Sequence, residues 1–309
     1  MTNSTNTETQ SATSQLSTTP RPQDDLYLAT NGEWVSNHVI PADRPIDGAF
    51  YKLRDEAEEN VRELITTAAD ADQNSRVARL YNSFMDEAAI NGAGAAPLAQ
   101  DLEMIASAEN AHELALALGR LDRLGVGGAL GYWVEKDSGS DLDALYLLQS
   151  GLGLPDEAYY REPGHADTLA AYEQHVAAML KLLSSHDDGT GDLSTALAAF
   201  ELVDTAAAAA RIVAFEKRIA AGHWNVVDTR DALKTYNKTA IADLPTGFPV
   251  AEWLAATGVN ETNQTAIDTI VVMMPSYFEH LSKLWQDTDL ADLRLWALWR
   301  VLHQLSLIH

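Results

Sequence analysis

The sequence contains no cysteine among its 309 residues. Disulfide bonds, zinc sites built from thiolates and cysteine nucleophiles are therefore excluded together. Basic residues are scarce as well: 21 lysines and arginines stand against 45 aspartates and glutamates, which leaves a net charge of −24 at pH 7. This surplus would repel a phosphate backbone, so we expect no nucleic-acid partner.

Long hydrophobic runs are missing too. The longest apolar stretch, around residues 205–210, is alanine-rich and far too short to cross a bilayer. Residues 1–23 are rich in serine, threonine, asparagine and glutamine, and they have neither the basic start nor the apolar segment of a signal peptide. We therefore predict a disordered tail over 1–23, no membrane partner and a cytoplasmic location.

One metal-binding motif begins and is not completed. His112-Glu113 opens like the zinc motif H-E-x-x-H, but Leu116 stands where the second histidine belongs. One imidazole cannot hold a catalytic ion by itself, because the motif places two histidines on the same helix face. Asn110 is a plausible N-cap just before this pair. His112-Glu113 is therefore interpreted as the start of a helix with partly exposed polar residues.

The other candidates for chemistry are also incomplete. His175 and His186 are too far apart to form a ligand pair, and the acidic loops 137–141 and 186–192 lack the spacing of an EF-hand. Both loops are predicted to be solvated turns. The chain has no G-x-S-x-G motif, no glycine-rich phosphate loop and no G-x-G-x-x-G. We therefore predict no catalytic residue and no metal ligand within this chain.

What the sequence does contain is helical periodicity. Apolar residues recur at spacings of three and four through most of the chain, which predicts a mainly α-helical protein. Residues 24–41 differ, since they are rich in turn formers and aromatic residues. Helices are predicted over residues 47–69, 75–89, 98–106, 111–124, 167–185, 193–221, 231–236 and 250–256, after Pro275, and over residues 290–307.

One β-hairpin is predicted at residues 129–149, around the acidic turn 137–141. Gly139 at the centre of this turn is expected to take a positive φ. Tyr132 and Trp133 must point to opposite faces, so one of the two rings needs cover from a later helix. Two roles remain open for the hairpin: it edges a substrate cavity, or it only covers the helical body.

Four stretches then occur in a distinctive order. The first contains N-G-E-W, followed by I-P and by G-A-F-Y-K-L-R-D. In this ordered combination the chain resembles, over residues 24–305, the neprilysin/endothelin-converting-enzyme family of zinc metallopeptidases. The stretches are DDLYLATNGEWVSNHVIPADRPIDGAFYKLRDEAEENVRELI (24–65), LYNSFMDEAAINGAGAAPL (80–98), GLGLPDEAYYRE (151–162) and FEKRIAAGHWNVVDTRDALKTYNK (215–238).

The resemblance implies a zinc-dependent metalloendopeptidase of the soluble bacterial type that hydrolyses short peptides. In that family H-E-x-x-H lies well downstream, with E-x-x-x-D after it and N-A-x-Y before it, and none of the three occurs in residues 1–309. The chain is therefore interpreted as the N-terminal half of such an enzyme. The zinc ligands are expected in a C-terminal catalytic half, which is the partner that this chain requires. The chain alone is predicted to be inactive.

The resemblance also implies a division of the chain. After the tail, residues 24–70 are expected to pack on a thermolysin-like catalytic lobe, and residues 71–309 are expected to build a helical lobe that is interrupted at its end. The two lobes would enclose a cavity that admits small peptides. Tyr27, Trp34, Phe50 and Leu53 would then lack their partner surface in this chain, leaving an exposed apolar patch.

One substrate-binding residue is carried over. Some family members hold the C-terminal carboxylate of the substrate with an arginine two residues before the glycine of G-x-F, and an aspartate five residues later holds that arginine. These positions are Ile46 and Tyr51 here, which favours endopeptidase action over dipeptide release. Arg44 lies two residues from the expected position and is the candidate that remains. The alternative function is a helical module that binds peptides without chemistry.

Overall fold

The computed structural model describes residues 20–187, 189–261 and 267–305. Most of the predicted disordered tail and the last residues of the predicted final helix lie outside these ranges. The chain divides into two compact units, Met1–Glu87 and Ala88–His309. In the described ranges no helix is both long enough and apolar enough to pass through a membrane.

Between residues 20 and 87, the described part of the first unit forms three helices: α1 (Leu26–Asn37), α2 (Ala49–Ala71) and α3 (Arg76–Met85). α1 corrects the sequence prediction of a turn-rich segment. Its start is fixed by the Asp25 side chain, which accepts a hydrogen bond from the Leu28 N–H at 2.9 Å. This cap lets the helix continue through Gly32 despite the cost of about 1 kcal/mol that a glycine brings to a helix interior.

This first unit has almost no core of its own. Among residues 20–87 only Ala69 and Ala78 are buried. Large apolar side chains remain exposed on ordered helices, including Phe50 at 87% and Leu53 at 60%. Tyr27 and Trp34, the other two residues named from the resemblance, are exposed as well. The helices are thus amphipathic without an apolar surface that covers them.

The second unit is a helical body built around two tryptophan-bearing helices near the end of the chain. Trp285, Trp296 and Trp299 are buried there, each at most 1% exposed. The mainly helical fold predicted from the sequence is confirmed. The helices are α4 (Glu87–Ala93), α5 (Ala99–Ala106), α6 (Ala111–Asp122), α7 (Ala158–Arg161), α8 (Ala166–Ser185), α9 (Gly191–Leu197), α10 (Thr205–Gly222), α11 (Val250–Thr257), α12 (Pro275–Gln286) and α13 (Leu290–Leu305).

Two helix predictions in this unit are corrected. The long helix predicted over 193–221 is split into α9 and α10, because Glu201 takes a left-handed conformation with φ 49°. Asp204 then caps a new helix by accepting from the N–H groups of Ala206 and Ala207. The helix predicted over 231–236 is a turn, in which the Asp231 carboxylate accepts from the N–H groups two and three residues later.

The predicted hairpin is present and belongs to a larger sheet. Strands β1 (Leu130–Lys136) and β2 (Asp143–Gln149) pair antiparallel, with Trp133 opposite Tyr146. Two further strands, β3 (Asn237–Ala240) and β4 (Thr269–Val272), complete the order β1-β2-β4-β3, in which β4 runs parallel to β2. Each of these added strands has only four residues, too few for a periodic signal in the sequence.

The two neighbouring rings of β1 lie on opposite faces, as predicted. Tyr132 makes an edge contact with Trp253 of α11, with ring centroids 5.8 Å apart. Cover from a later helix was expected for one of the rings, and α11 provides it. Trp133 stacks instead on Tyr146 across the hairpin and remains 36% exposed. One face of the hairpin therefore packs an aromatic ring against α11. The other face carries a stacked pair of rings, of which Trp133 is partly exposed.

Asp137 anchors the hairpin turn to β3. Its carboxylate accepts from the Ser140 hydroxyl and the Tyr236 hydroxyl, both at 2.6 Å, and from the Lys238 ammonium at 2.5 Å. The Lys238 ammonium, together with these hydroxyls, holds the pKa of Asp137 well below its usual range. Asp137 is only 3% exposed, so the acidic turn is not the freely solvated loop that the sequence predicted.

The prediction that Gly139 takes a positive φ is wrong, and the glycine is required for another reason. Gly139 is not among the residues with positive φ. A Cβ at this position would lie 2.5 Å from the Tyr236 hydroxyl, so the glycine is required by the close approach of Tyr236, the residue just before β3. The contact that fixes the turn thus comes from a residue about a hundred positions away.

Replacing Asp137 by asparagine should lower the thermal midpoint of the chain at neutral pH, because the Lys238 ion pair is lost. The folded pKa of Asp137 is depressed, so its contribution to stability is full above the unfolded pKa of about 3.9 and fades as the pH falls below it. The gap between wild type and Asp137→Asn should therefore narrow from pH 6 to pH 2.5 in circular-dichroism melts. Asp141→Asn, an exposed change in the same turn, should leave the midpoint nearly unchanged; a constant gap for Asp137→Asn would contradict the assignment.

Candidate functional site

His112 and Glu113 form a helix start, as the sequence indicated. The N–H of Glu113 donates to the Asn110 side chain at 2.9 Å, and the Glu113 carboxylate accepts from the N–H of Glu109 at 2.8 Å. This arrangement is a variant of the capping box, in which Glu113 accepts from the N–H one residue before the N-cap Asn110. His112 is exposed at the first turn of α6. The glutamate is thus occupied by the backbone.

No group of three or more His, Cys, Asp or Glu side chains that could hold a metal ion is found over residues 20–187, 189–261 and 267–305. His175 packs edge-on against Trp299, with ring centroids 5.9 Å apart. The acidic loop 186–192 includes a residue outside the described ranges. The part of the chain that the structure describes therefore offers no fit for a catalytic zinc ion.

A groove of about 430 Å³ lies beside the hairpin in the second unit. This volume falls in the range of about 300–1,000 Å³ that is typical of small-ligand sites. The loop 150–157 forms much of its wall, with the segment 223–229 contributing as well. The hairpin contributes Trp133 and Leu148, and the residues after β4 contribute Met273 and Met274. We call this site the hairpin groove.

The Tyr160 hydroxyl holds the loop wall of the hairpin groove in place. It accepts hydrogen bonds from the N–H groups of Gly153 at 3.1 Å and Leu154 at 3.0 Å. It donates in turn to the Glu216 carboxylate of α10 at 2.7 Å. One side chain thus connects the backbone of the loop to the buried interior.

Glu216 is fully buried, at 0% exposure. Its second oxygen accepts from the Tyr172 hydroxyl at 3.2 Å, and Tyr172 accepts from the Trp299 indole N–H at 2.7 Å. Burial raises the pKa of the Glu216 carboxyl to about 7, although the Tyr160 hydroxyl and the charge of Arg300 oppose this rise. A buried carboxylate of this kind is tolerated only because donors surround it.

Two glycines allow the loop to approach this network. A Cβ at Gly153 would overlap the Tyr172 hydroxyl. Gly151 has φ +103°, a conformation that favours glycine, and a Cβ there would also press on Ala129. The glycines of the GLGLP stretch therefore reflect close packing around Tyr172 and a left-handed turn.

The other wall of the hairpin groove is joined to the end of β2 by a side chain. Gln149 accepts from the Trp224 N–H at 2.7 Å and donates to the Trp224 carbonyl at 2.9 Å. Beside it, burial lowers the pKa of His223 to about 4, so this imidazole is neutral at pH 7. Its Nε2–H then donates to the Ser150 carbonyl at 3.1 Å. Both walls are thus fixed by hydrogen bonds that leave the groove surface largely apolar.

The structure places Arg44 in the first unit, in the loop before α2. Its guanidinium pairs with Asp55 at 3.0 Å and Asp47 at 3.7 Å, and it lies 5.7 Å from the Tyr51 ring centroid. The sequence did not identify the hairpin groove or the Tyr160–Glu216 network. The signal that could have found the network was present: Tyr160 and Glu216 belong to two of the stretches that carry the family resemblance, and those stretches meet here.

Comparison with known proteins gives a consistent result. The family model described as peptidase family M13 matches residues 22–308. Endothelin-converting enzyme 1 of Cavia porcellus is 25% identical over 96% of this chain and 39% of its own length. Human neprilysin is 23% identical over 94% of the chain and 41% of its own length.

Among solved structures, the zinc metalloprotease Zmp1 of Mycobacterium tuberculosis in complex with an inhibitor is 41% identical, with a TM-score of 0.76. The match covers 93% of this chain and 43% of that protein. The open state of the same protein matches with a TM-score of 0.72. The chain thus spans about two fifths of the length of these relatives.

Replacing Tyr160 by phenylalanine should destabilise the chain by about 2–4 kcal/mol, because two loop N–H groups and the buried Glu216 each lose a hydrogen-bond partner. Urea unfolding followed by tryptophan fluorescence measures this. The adjacent Tyr159 stacks on His165 and makes no hydrogen bond through its hydroxyl among the described residues, so Tyr159→Phe should cost less than about 0.5 kcal/mol. Equal costs for the two variants would show that the network does not hold the loop.

Proposed function

This chain belongs to peptidase family M13, and on that basis we propose that it forms the N-terminal part of a zinc-dependent endopeptidase that cleaves short peptides. The observation that carries the proposal is the match over residues 22–308, together with 41% identity to a solved zinc metalloprotease. The zinc ion would be bound by residues outside this chain. No catalytic step is assigned to the residues described above.

We also propose that residues 24–70 associate with the catalytic part, while residues 71–309 form the helical lobe. The exposed apolar side chains of the first unit support this division, with Phe50 at 87% and Leu53 at 60% exposure on an ordered helix. Apolar surface of this extent on a small unit marks a site of interaction. The catalytic part is the partner that the family relationship offers for it.

Arg44 remains a proposed substrate-binding residue. Its guanidinium pairs with Asp55 and Asp47 through a single nitrogen, Nη1. A substrate carboxylate would bind at Nη2, whose donors make no hydrogen bond to the described residues, and both aspartates would stay in place. The cytoplasmic location also remains a proposal, which fractionation of expressing cells would test.

The alternative, a module that binds peptides without chemistry, is favoured by one observation. The hairpin groove is a preformed, mainly apolar site in a part of the chain where no metal-ligand group is described. The two functions are compatible, since an N-terminal part that binds peptide would serve the endopeptidase as well.

The proposed function is tested with a chimera in which residues 22–308 replace the matching region of the Mycobacterium tuberculosis protease. We expect the isolated chain to bind no stoichiometric zinc and to hydrolyse no peptide. The chimera should bind zinc and cleave short peptides, and a chelator should abolish this activity. Residues 24–70 should resist trypsin better in the chimera than in the isolated chain. Zinc or hydrolysis in the isolated chain, or a folded zinc-bound chimera without activity, would contradict the proposal.

Replacing Arg44 by alanine in the same chimera tests its role. Loss of a charged hydrogen bond to the substrate carboxylate should raise KM for short peptides with a free C-terminus about tenfold, with kcat little changed. C-terminally amidated peptides should be unaffected. Arg62→Ala, which removes an exposed arginine paired with Glu59 in the same unit, is the matched control. An equal effect on free and amidated peptides would remove Arg44 from the site.

A further inference from the structure

Glu157 is a buried acidic residue whose side chain has no partner among the residues that the structure describes. It lies directly before α7, lines the hairpin groove and is only 5% exposed. Among the described residues, no hydrogen bond or ion pair reaches its side chain. The Glu157 oxygens are not among the fully enclosed side-chain atoms that lack a partner, so they remain accessible from the groove. A ligand with hydrogen-bond donors in this groove would supply the partner that the described residues do not.

The charge around the hairpin groove has one sign. Asp156 lines it next to Glu157 and uses one carboxylate oxygen to accept from the Ala158 N–H at 3.0 Å, which leaves the other oxygen available. Within the described part of the chain no lysine or arginine lines the groove, and His223 is neutral at pH 7. Arg161, the nearest cation in sequence, donates instead to the carbonyl groups of Ala220 and His223. An anionic ligand would be repelled, whereas a cation would be attracted.

The rest of the lining suits the aliphatic part of a long side chain. Leu148, Met273 and Met274 provide flexible apolar contacts, and the thioethers adapt to irregular shapes. Trp133 and Trp224 add two indole rings, which attract cations placed over their faces. Two carboxyl groups are too few to hold a metal ion, and no third ligand joins them in the described ranges.

From this combination we propose that the hairpin groove binds a lysine or arginine side chain of a peptide, with the cationic end at Glu157 and Asp156 and the stem along the apolar lining. The inference goes beyond the proposed function, since binding needs neither zinc nor the catalytic part.

The test is calorimetric titration of the 309-residue chain with blocked pentapeptides of alanine that differ only at the central residue. Arginine at the centre should give measurable binding, whereas citrulline, which has nearly the same shape without the charge, should bind about tenfold more weakly or not at all. Lysine and norleucine form a second matched pair. Binding of the arginine peptide should weaken as salt is added.

Variants assign this preference to Glu157. Glu157→Gln should weaken the arginine peptide about tenfold and leave the citrulline peptide unchanged. Since Glu157 has no partner among the described residues, the substitution should not lower the melting midpoint. Glu162→Gln, an exposed change with the same loss of charge just beyond α7, should alter neither peptide by more than about twofold.

Several results would overturn the proposal. Equal binding of arginine and citrulline peptides to the wild-type chain would do so without any variant, as would no binding of the arginine peptide at millimolar concentration. Unchanged affinity in Glu157→Gln would remove Glu157 from the site. None of these results bears on the zinc or the activity of the chimera, so the two proposals fail separately.

Discussion

The buried carboxylate of Glu216 is the constraint on which the second unit depends. A carboxyl group at 0% exposure is strongly destabilising unless donors satisfy both of its oxygens, and here two tyrosines do so. Tyr160 extends the network to the loop backbone, while Tyr172 extends it to Trp299 of α13. Because every member has a partner, the network fixes one arrangement of loop, α8, α10 and α13. The shape of the hairpin groove follows from that arrangement.

The first unit is not stabilised by a buried core of this kind. Asp25 and Ser75 cap α1 and α3, whereas α2 begins after Gly48 without a side-chain cap, and the three helices enclose only two buried alanines among the described residues. Helices in proteins gain most of their stability from packing of an apolar face, so this unit lacks the larger part of the usual stabilisation. The apolar residues that would supply it are present and face outward. This explains why a chain of such high negative charge still presents a large apolar surface.

Arg44 and Glu157 are the two charged residues on which the binding proposals depend. Arg44 lies two residues from the position that the resemblance indicates, and it pairs with Asp47 and Asp55 through Nη1, whereas its Nε has no hydrogen-bond partner in the described ranges. Glu157 lies within another resembling stretch and belongs to no recognised motif for chemistry, yet it is buried against an apolar groove without a partner among the described residues. Glu157 thus has two carboxylate oxygens without a partner in the described ranges, and both lie where a ligand of the hairpin groove reaches them.

Local features of the sequence determined much of this protein. Helical spacing predicted most helices, Asn110 was correctly predicted as the N-cap of α6, and the ordered stretches indicated the peptidase family. These signals act over a few residues or through the order of motifs, so they can be read along the chain.

The tertiary structure alone decided the rest. β3 and β4 are too short for a periodic signal, Gly139 is required by a tyrosine nearly a hundred residues away, and Tyr160 meets Glu216 across 56 residues. Such pairings depend on how distant elements pack, and packing over that range leaves no local pattern in the sequence.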